Sequence, residues 1–315
     1  MSLNSVNTNM GAMIALESLN RTNADLAATQ KRVSTGSRVA DATDDGAAYA
    51  VAQSVRSTVG ALGAANQQLG NLQGLLSTTQ SGLNDVSNTM ASMRDVLVKL
   101  SDSNVAGNQR TQYQAQYSSL LANVKSFIQD ANYNGKTLIG NIAGSSGTFA
   151  RVSTVRNESG ASYGIATYGA SAMYNAIAFS FGATIGAAAA IGSHASGNTV
   201  AGASNVAIPA HGTAASYGSS TVAAMLTVGG TFIKQMNAVG SALNTIGSEV
   251  NYVNNQVSYN NDKIDALNTG LGSLVDADLA KESAQLQALQ IRQQLGTQAL
   301  SLANQAPQTL LSLFK

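Results

Sequence analysis

The chain has 315 residues, of which 44% are hydrophobic and 10% are charged, with a formal net charge of +1 and no cysteine. This length allows two or three domains, and the near-neutral charge argues against binding to nucleic acid or to an anionic membrane. The lack of cysteine excludes disulfides, thiolate zinc sites and cysteine nucleophiles. So few charges indicate that much of the surface is covered by other protein; a neutral surface rich in Asn and Gln is the alternative.

Residues 1–45 form the first predicted segment, in which apolar side chains recur at helical spacing. The stripe begins at one register and resumes in a shifted one: Leu3, Val6, Met10, Met13, then Leu16, Leu19, Leu26 and Val33. The chain start lacks the basic region, apolar core and cleavage site of a secretory signal peptide, so export is expected to use another route. The stretch "DATDDG" at residues 41–46 lacks the spacing of a calcium loop and predicts a capped joint.

Residues 46–140 are predicted to form the N-terminal part of a helical rod. A long helix carries apolar residues in alternating steps of three and four, and a shorter return helix repeats the pattern after a break at "SDSNVAGNQ". The two stripes are Leu83, Val86, Met90, Met93, Leu97 and Leu100, and then Tyr113, Tyr117, Leu120, Val124, Phe127 and Ala131.

Residues 141–230 differ in composition and are predicted to be an inserted, β-rich module. Ile177, Phe179 and Phe181 alternate with small residues, as in a strand. Residues 173–191 are long and uncharged enough to span a bilayer, but they are rich in Gly and Ala and lack basic anchors, so membrane insertion is disfavoured. His194 and His211 are expected to be solvated or structural residues, with a metal pair as the weaker alternative, and the bare GxxxG of Gly182 and Gly186 is a weak signal.

Residues 231–275 show the strongest periodicity of the chain. Apolar side chains follow steps of four and three through six heptads, with Asn260 as the one polar member. The pattern predicts a helix roughly 65 Å long that packs with the two helices of residues 46–140 in a three-helix antiparallel bundle. The seam of this rod is expected to include Leu83, Met90, Leu97, Val250, Val257 and Leu267.

Residues 276–315 complete the chain with another narrow stripe. Asp276 and Asp278 are interpreted as capping and first-turn residues of a last helix rather than a catalytic pair, and Pro307 should kink or end that helix. Since short isolated helices are marginal, both ends are expected to be largely disordered in the monomer and to pair as helices on assembly. The predicted assembly residues are Leu3, Val6, Met10, Met13, Leu295, Leu302, Leu310 and Leu313.

Four stretches resemble the bacterial flagellin family. They are "SVNTNMGAMIALESLNRT" at residues 5–22, "RVSTGSRVADATDDGAAYAVAQSVRS" at 32–57, "NYNGKTLIG" at 132–140, and the sequence from "VDADLAKES" to "TLLSLF" at 275–314. The resemblance covers roughly residues 1–140 and 232–315. It implies a mainly α fold whose rod is built from both chain ends, with a variable, surface-exposed insert at 141–230 and terminal helices that pair in an inner tube.

The resemblance also implies a function. A protein of this family polymerises with itself into the extracellular flagellar filament and is exported unfolded by the flagellar type III system. Its implied partners are an export chaperone, a cap and hook-junction proteins, and no cofactor, nucleic acid or membrane insertion is implied. No catalytic constellation is recognised in the sequence, so we expect a structural protein rather than an enzyme.

One departure from the family concerns a rod patch that an animal innate immune receptor reads as Leu-Gln-Arg-x-Arg-Glu-Leu-Ala-Val-Gln. The matching stretch is "MASMRDVLVKL" at residues 90–100, in which Arg94 and Asp95 keep the Arg-Glu pair in character. The preceding Gln-Arg has become Ala91-Ser92, and the last Gln is Lys99. The sequence therefore predicts weak recognition by that receptor.

Three alternative functions remain open from the sequence. A hook–filament junction protein would share terminal coiled coils but would be present in few copies. A secreted surface adhesin or glycan-binding protein would act through residues 141–230 and would not need the chain ends. An enzyme in the insert would have little acid–base chemistry available, because Glu158 is the one charged residue between positions 157 and 233.

Overall fold

The computed structural model describes residues 9–178 and 218–313, which form two compact units. One unit contains residues up to 60 and from 262 onward, and the other contains residues 61–261. The described helices are α1 Met10–Thr35, α2 Gly46–Ser101, α3 Gly107–Asp130, α4 Ala170–Ile177, α5 Ser219–Met225, α6 Thr231–Val275 and α7 Leu279–Leu313. The strands are β1 Lys136–Thr137, β2 Thr148–Phe149, β3 Val152–Val155 and β4 Ser162–Ile165.

The unit of residues 61–261 is built on a three-helix bundle, as the periodicity predicts. Amide side chains of α2 and α6 meet in antiparallel order, since Asn66 bonds to Asn261 and Gln73 bonds to Asn254, each at 2.8 Å. Every seventh residue of α6 from Phe232 to Asn260 is buried, and the alternate seam positions are half-buried. The core combines the apolar faces of α2, α3 and α6, because each amphipathic helix buries one stripe.

A tight turn after α3 connects the bundle to the insert. Tyr133 and Lys136 exchange backbone hydrogen bonds of 2.8 and 3.0 Å, and Asn134 and Gly135 between them have φ values of 50° and 73°. Left-handed φ at both central residues is the conformation that an Asn-Gly pair favours. The turn places Leu138 and Ile139 fully inside the core.

The described part of the insert contains short strands and two short helices. β1 pairs with β2 in parallel, and β3 pairs with β4 in an antiparallel hairpin. The ring of Tyr163 on the hairpin stacks on Tyr252 of α6 with centroids 4.3 Å apart, and its hydroxyl donates to Glu249. The Glu249 bond and burial raise the pKa of Tyr163, with burial as the larger cause.

The strand predicted around Ile177 is wrong at that residue, because Ile177 is the last residue of α4. The buried hydroxyl of Tyr117 on α3 donates to the Ile177 carbonyl at 2.6 Å, so a tertiary contact satisfies the end of this helix. Phe179, Phe181, both histidines and the GxxxG pair lie outside the described residues. In the described parts of the chain, no helix is long and apolar enough to cross a membrane.

Candidate assembly surface

The joint between α1 and α2 is tied to the joint between α6 and α7. Backbone hydrogen bonds join Arg38 N to Val275 O at 2.7 Å and Ala277 N to Gly36 O at 3.0 Å. Gly36 ends α1 with a left-handed φ of 68°. A residue with a Cβ would adopt this φ only with strain. Val39 and Val275 are buried beside Ala48 and Ala52, so the two chain crossings share a small core.

Acidic residues cap the helices that start at these joints. Asp45 accepts hydrogen bonds from the backbone of Ala47 and Ala48 at the start of α2. Asp278 accepts from Ala280 and Lys281 at the start of α7, which confirms its predicted capping role. Asp276 instead forms an isolated β-bridge with Ser37 three residues before α7, so the capping role proposed for Asp276 is wrong.

A lysine connects the joint to α1. The Nζ of Lys31 lies 2.6 Å from Asp41 and 3.0 Å from Asp44, and Thr43 donates its hydroxyl to Asp41. The hydrogen bond from Lys31 is the main cause that holds the pKa of Asp41 and the pKa of Asp44 below the ordinary aspartate range. The stretch "DATDDG" thus serves as a capped joint, and the described residues contain no cluster of acidic or histidine side chains fit for a metal ion.

The terminal helices α1 and α7 pack against each other in antiparallel order. The order follows from three contacts along the pair: Asn9 Nδ2 to the Ala303 carbonyl at 2.7 Å, Gln293 Nε2 to Asn23 Oδ1 at 2.8 Å, and Arg32 to Glu282 at 3.5 Å. One expectation from the sequence was that the last helix ends at Pro307, but α7 continues to Leu313. The ends are thus paired within a single chain, whereas the sequence predicted that they would pair on assembly.

The contact between α1 and α7 is made of small and polar residues as well as leucines. Positions facing the partner helix recur in steps of three and four: Ala12, Ala15, Leu19, Thr22, Leu26, Thr29 and Val33 on α1, and Glu282, Leu286, Leu289, Gln293, Gly296, Leu300 and Ala303 on α7. Gly296 lies against Leu19, where an added Cβ would be 3.2 Å from the leucine side chain. Small residues therefore allow the two backbones to approach.

Both terminal helices carry further apolar side chains outside this contact, and we call these groups the outer faces. The outer face of α1 consists of Met10, Met13, Ile14 and Leu16, and that of α7 consists of Ile291, Leu295 and Leu302; each side chain is about half exposed or more, up to 70% for Leu302. Burial of a half-exposed side chain of this size stabilises by roughly 1 kcal/mol. Large apolar side chains left exposed on one side of a helix are typical of an interface with another molecule.

The predicted assembly residues lie at different places in the terminal segments. Met10, Met13, Leu295 and Leu302 lie on the outer faces and do not form the contact between α1 and α7. Leu310 and Leu313 belong to the last turns of α7, while Leu3 and Val6 lie outside the described residues. Leu19, Leu26 and Val33 of the second α1 stripe face α7.

Sequence reasoning missed Ile14 and Ile291 as members of the outer faces. Both are more than half exposed, and each lies one helical turn from a residue that was identified, Met10 or Leu295. The predicted stripes stepped from Met10 to Met13 and began at Leu295. A count that takes both the third and the fourth neighbour of each member would have included Ile14 and Ile291.

The predicted rod residues occupy the seam in two grades of burial. Leu83, Met90 and Leu97 of α2 are buried, and Val250, Val257 and Leu267 of α6 are half-buried. Arg94 and Asp95 are exposed on α2, on the opposite side from the buried Met93 and Val96. The residues of the degenerate receptor patch are therefore available to a partner in the single chain.

The sequence is similar to those of known proteins over its whole length. A family model described as the bacterial flagellin N-terminal helical region matches residues 6–143, and one described as the C-terminal helical region matches residues 226–314. A flagellin of Brucella melitensis is 32% identical over 99% of both chains. Among flagellins of Caulobacter vibrioides, FljJ is 31% identical over 99% of this chain and 98% of its own, and FljM is 29% identical over 100% of both.

Proposed function

Because this chain belongs to the bacterial flagellin family and is a structural subunit of the flagellar filament, we propose that it polymerises head-to-tail through the outer faces of α1 and α7. The observation that carries the proposal is the exposure of large apolar side chains outside the α1–α7 contact, among them Met13 and Leu302. A subunit that ends with these side chains in water gains free energy when a neighbouring copy covers them.

The arrangement of the two outer faces favours an open polymer. Since α1 and α7 meet through their facing positions, their outer faces lie on opposite sides of the helix pair. The outer face of α1 in one copy can therefore cover the outer face of α7 in the next copy, which leaves one face free at each end. Such a heterologous contact continues as a helical filament when its rotation does not close.

Export and assembly partners form the second part of the proposal. The chain is exported unfolded by the flagellar type III system to the outside of the cell, with a chaperone, a cap and hook-junction proteins as partners. Its lack of cysteine suits this route, because no disulfide has to form outside the cell. The exposed leucines of α7 are the chemistry that an apolar chaperone groove would recognise before export.

A charge substitution tests the assembly surface. Leu302→Asp places a carboxylate on the outer face of α7, and Gln294→Asp places the same charge on an exposed glutamine of the same helix, outside the outer face. We expect Leu302→Asp to raise the critical concentration for filament growth at least about tenfold, and Gln294→Asp to change it much less. Sedimentation and electron microscopy of seeded full-length protein measure this, with circular dichroism to verify that both variants are helical.

The outcomes distinguish the alternatives. Normal filaments from Leu302→Asp would show that the outer face of α7 is not the assembly surface. If unsubstituted protein formed no filaments but attached to surfaces or glycans, an adhesin would replace the filament subunit. If it added to filament ends without extending them, a hook–filament junction protein would replace it.

A further inference from the structure

The methionines of this chain differ sharply in exposure. Met10 and Met13 on α1 are 54% and 60% exposed, whereas Met90 and Met93 on α2 are fully buried. The other described methionines, Met173, Met225 and Met236, are buried or half-buried. Because the sequence contains no cysteine, the methionine thioethers are its only sulfur atoms. A two-electron oxidant in solution would therefore meet Met10 and Met13 first among the described methionines.

Both thioethers lie on the outer face of α1, where a polar group would disfavour contact with a neighbouring copy. Met10 and Met13 line a shallow depression on α1 together with Ile14, Leu16, Glu17 and Asn20. The two residues are three positions apart, so their side chains are neighbours on one face of the helix. We propose that Met10 and Met13 form an oxidation site for peroxides, and that their conversion to sulfoxides blocks the assembly of the free subunit.

The chemistry of the step is self-contained apart from the peroxide. A lone pair of the thioether sulfur attacks one oxygen of hydrogen peroxide, the O–O bond breaks, and the new S–O bond gives a sulfoxide. Sulfur loses two electrons, the peroxide is reduced, and the remaining oxygen leaves as water after proton transfer. The product is a polar, chiral side chain in place of a flexible apolar one, and methionine sulfoxide reductases reverse the change.

The consequence for assembly rests on the proposed function. If the outer face of α1 is covered by a neighbouring copy, a sulfoxide there must give up hydrogen bonds to water on burial. Oxidised subunits should then add poorly to a filament end. Subunits that are already inside the filament should be protected, because the neighbour covers both thioethers. The site would thus select for undamaged subunits before incorporation.

The test treats full-length protein with dilute hydrogen peroxide, once as monomer and once as filament, and maps sulfoxides by peptide mass spectrometry. In the monomer, Met10 and Met13 should be oxidised at least about tenfold faster than Met90 and Met93, since oxidation follows exposure. In filaments this difference should disappear. Extension of untreated filament fragments by the treated monomer should slow at least about tenfold, and treatment with both sulfoxide reductases should restore it.

A double variant identifies the residues responsible. For Met10→Leu/Met13→Leu, the extension rate after peroxide is divided by the rate of the same protein without peroxide, so that any effect of leucine itself cancels. This ratio should stay near one. A ratio as low as that of the unsubstituted protein, or equal oxidation of Met10 and Met90 in the monomer, would overturn the inference. Failure of untreated protein to extend filaments would contradict the proposed function instead, while the oxidation pattern would still decide the site.

Discussion

Asn260 donates its side-chain amide to Asn66 across the α2–α6 contact at 2.8 Å, although Asn260 is fully buried in an otherwise apolar seam. The same nitrogen donates to the Arg156 carbonyl at 3.0 Å, and its oxygen accepts from Gln256. One residue thus links α2, α6 and the loop that follows β3. A single polar residue at a seam position fixes the register of helices, and here it also fixes the hairpin to the rod.

Replacement of Asn260 by leucine tests this role. Asn260→Leu leaves the Arg156 carbonyl and Asn66 without their donor, so we expect the free energy of unfolding to fall by about 1–3 kcal/mol. The control is Asn254→Leu, which removes the exposed hydrogen bond that Gln73 donates to Asn254 between the two helices. This variant should lower the free energy of unfolding by less. Denaturant unfolding followed by circular dichroism measures both. An increase in stability for Asn260→Leu would show that the network is not required.

Two glycines of α2 allow a second comparison. At Gly82 an added Cβ would be 2.9 Å from the Cβ of Ala131, whereas at Gly70 no atom lies within 4 Å. Gly82→Ala should therefore destabilise by about 1–3 kcal/mol through overpacking, and Gly70→Ala should stabilise by up to about 1 kcal/mol through helix propensity. Thermal unfolding of the two variants gives the answer; the same sign for both would refute the close packing at Gly82.

The rod could be predicted from the sequence because its burial is periodic. From Phe232 to Asn260 every seventh residue of α6 is buried, and this is the pattern that a three-and-four count detects. The contact between α1 and α7 could not be predicted in this way, since it uses Gly296, Gln293 and Ala303 and leaves Leu295 and Leu302 exposed. Close approach favours small residues, and a count of apolar residues overlooks them.

Ile177 illustrates a different limit. Alternating apolar residues predicted a strand, but the carbonyl of Ile177 accepts a hydrogen bond from Tyr117, which is sixty positions away in the sequence. Local periodicity carries no information on such a contact, and tertiary packing decides the conformation of a short segment.

The ion pairs of Lys31 predict a defined pH dependence. A carboxyl with a lowered native pKa, such as Asp44, stabilises the fold above its unfolded pKa of about 3.9, and this contribution is lost as the pH falls through the native value. The hydrogen bond to Asp41 raises the pKa of Lys31, so the lysine contribution is present below about pH 10.4 and is lost as the pH rises through its native pKa.

The coupling between Lys31 and Asp44 should therefore be constant from about pH 5 to about pH 9 and should fall on either side. A double-mutant cycle with Lys31→Gln and Asp44→Asn, measured by denaturant unfolding across this range, tests it. The exposed pair of Arg21 and Glu17 on α1 serves as the reference cycle. A coupling that changes between pH 5 and pH 9 would mean that another group titrates with the joint.

The receptor patch on α2 leads to a prediction on immune recognition. Arg94 and Asp95 are exposed, as are Ala91, Ser92 and Lys99 at the positions that depart from the family pattern. Cells that carry the receptor should respond weakly to the purified monomer. The triple variant Ala91→Gln/Ser92→Arg/Lys99→Gln should strengthen the response at least about tenfold, if these positions carry binding energy. A robust response to the unsubstituted chain would refute the prediction.

The terminal helices of the free subunit should unfold locally more easily than the rod. Thr29 is the one fully buried residue of α1, and Glu282 and Leu289 are the buried residues in the part of α7 whose side chains are described, whereas α2 contributes a long buried stripe to its core. Segments with few buried contacts open at low free energy. In the monomer, amide hydrogens of α1 and α7 should exchange at least about 100-fold faster than those of α3, and in filaments they should become protected. Equal protection of α1 and α3 in the monomer would show that the terminal pair is stable without assembly.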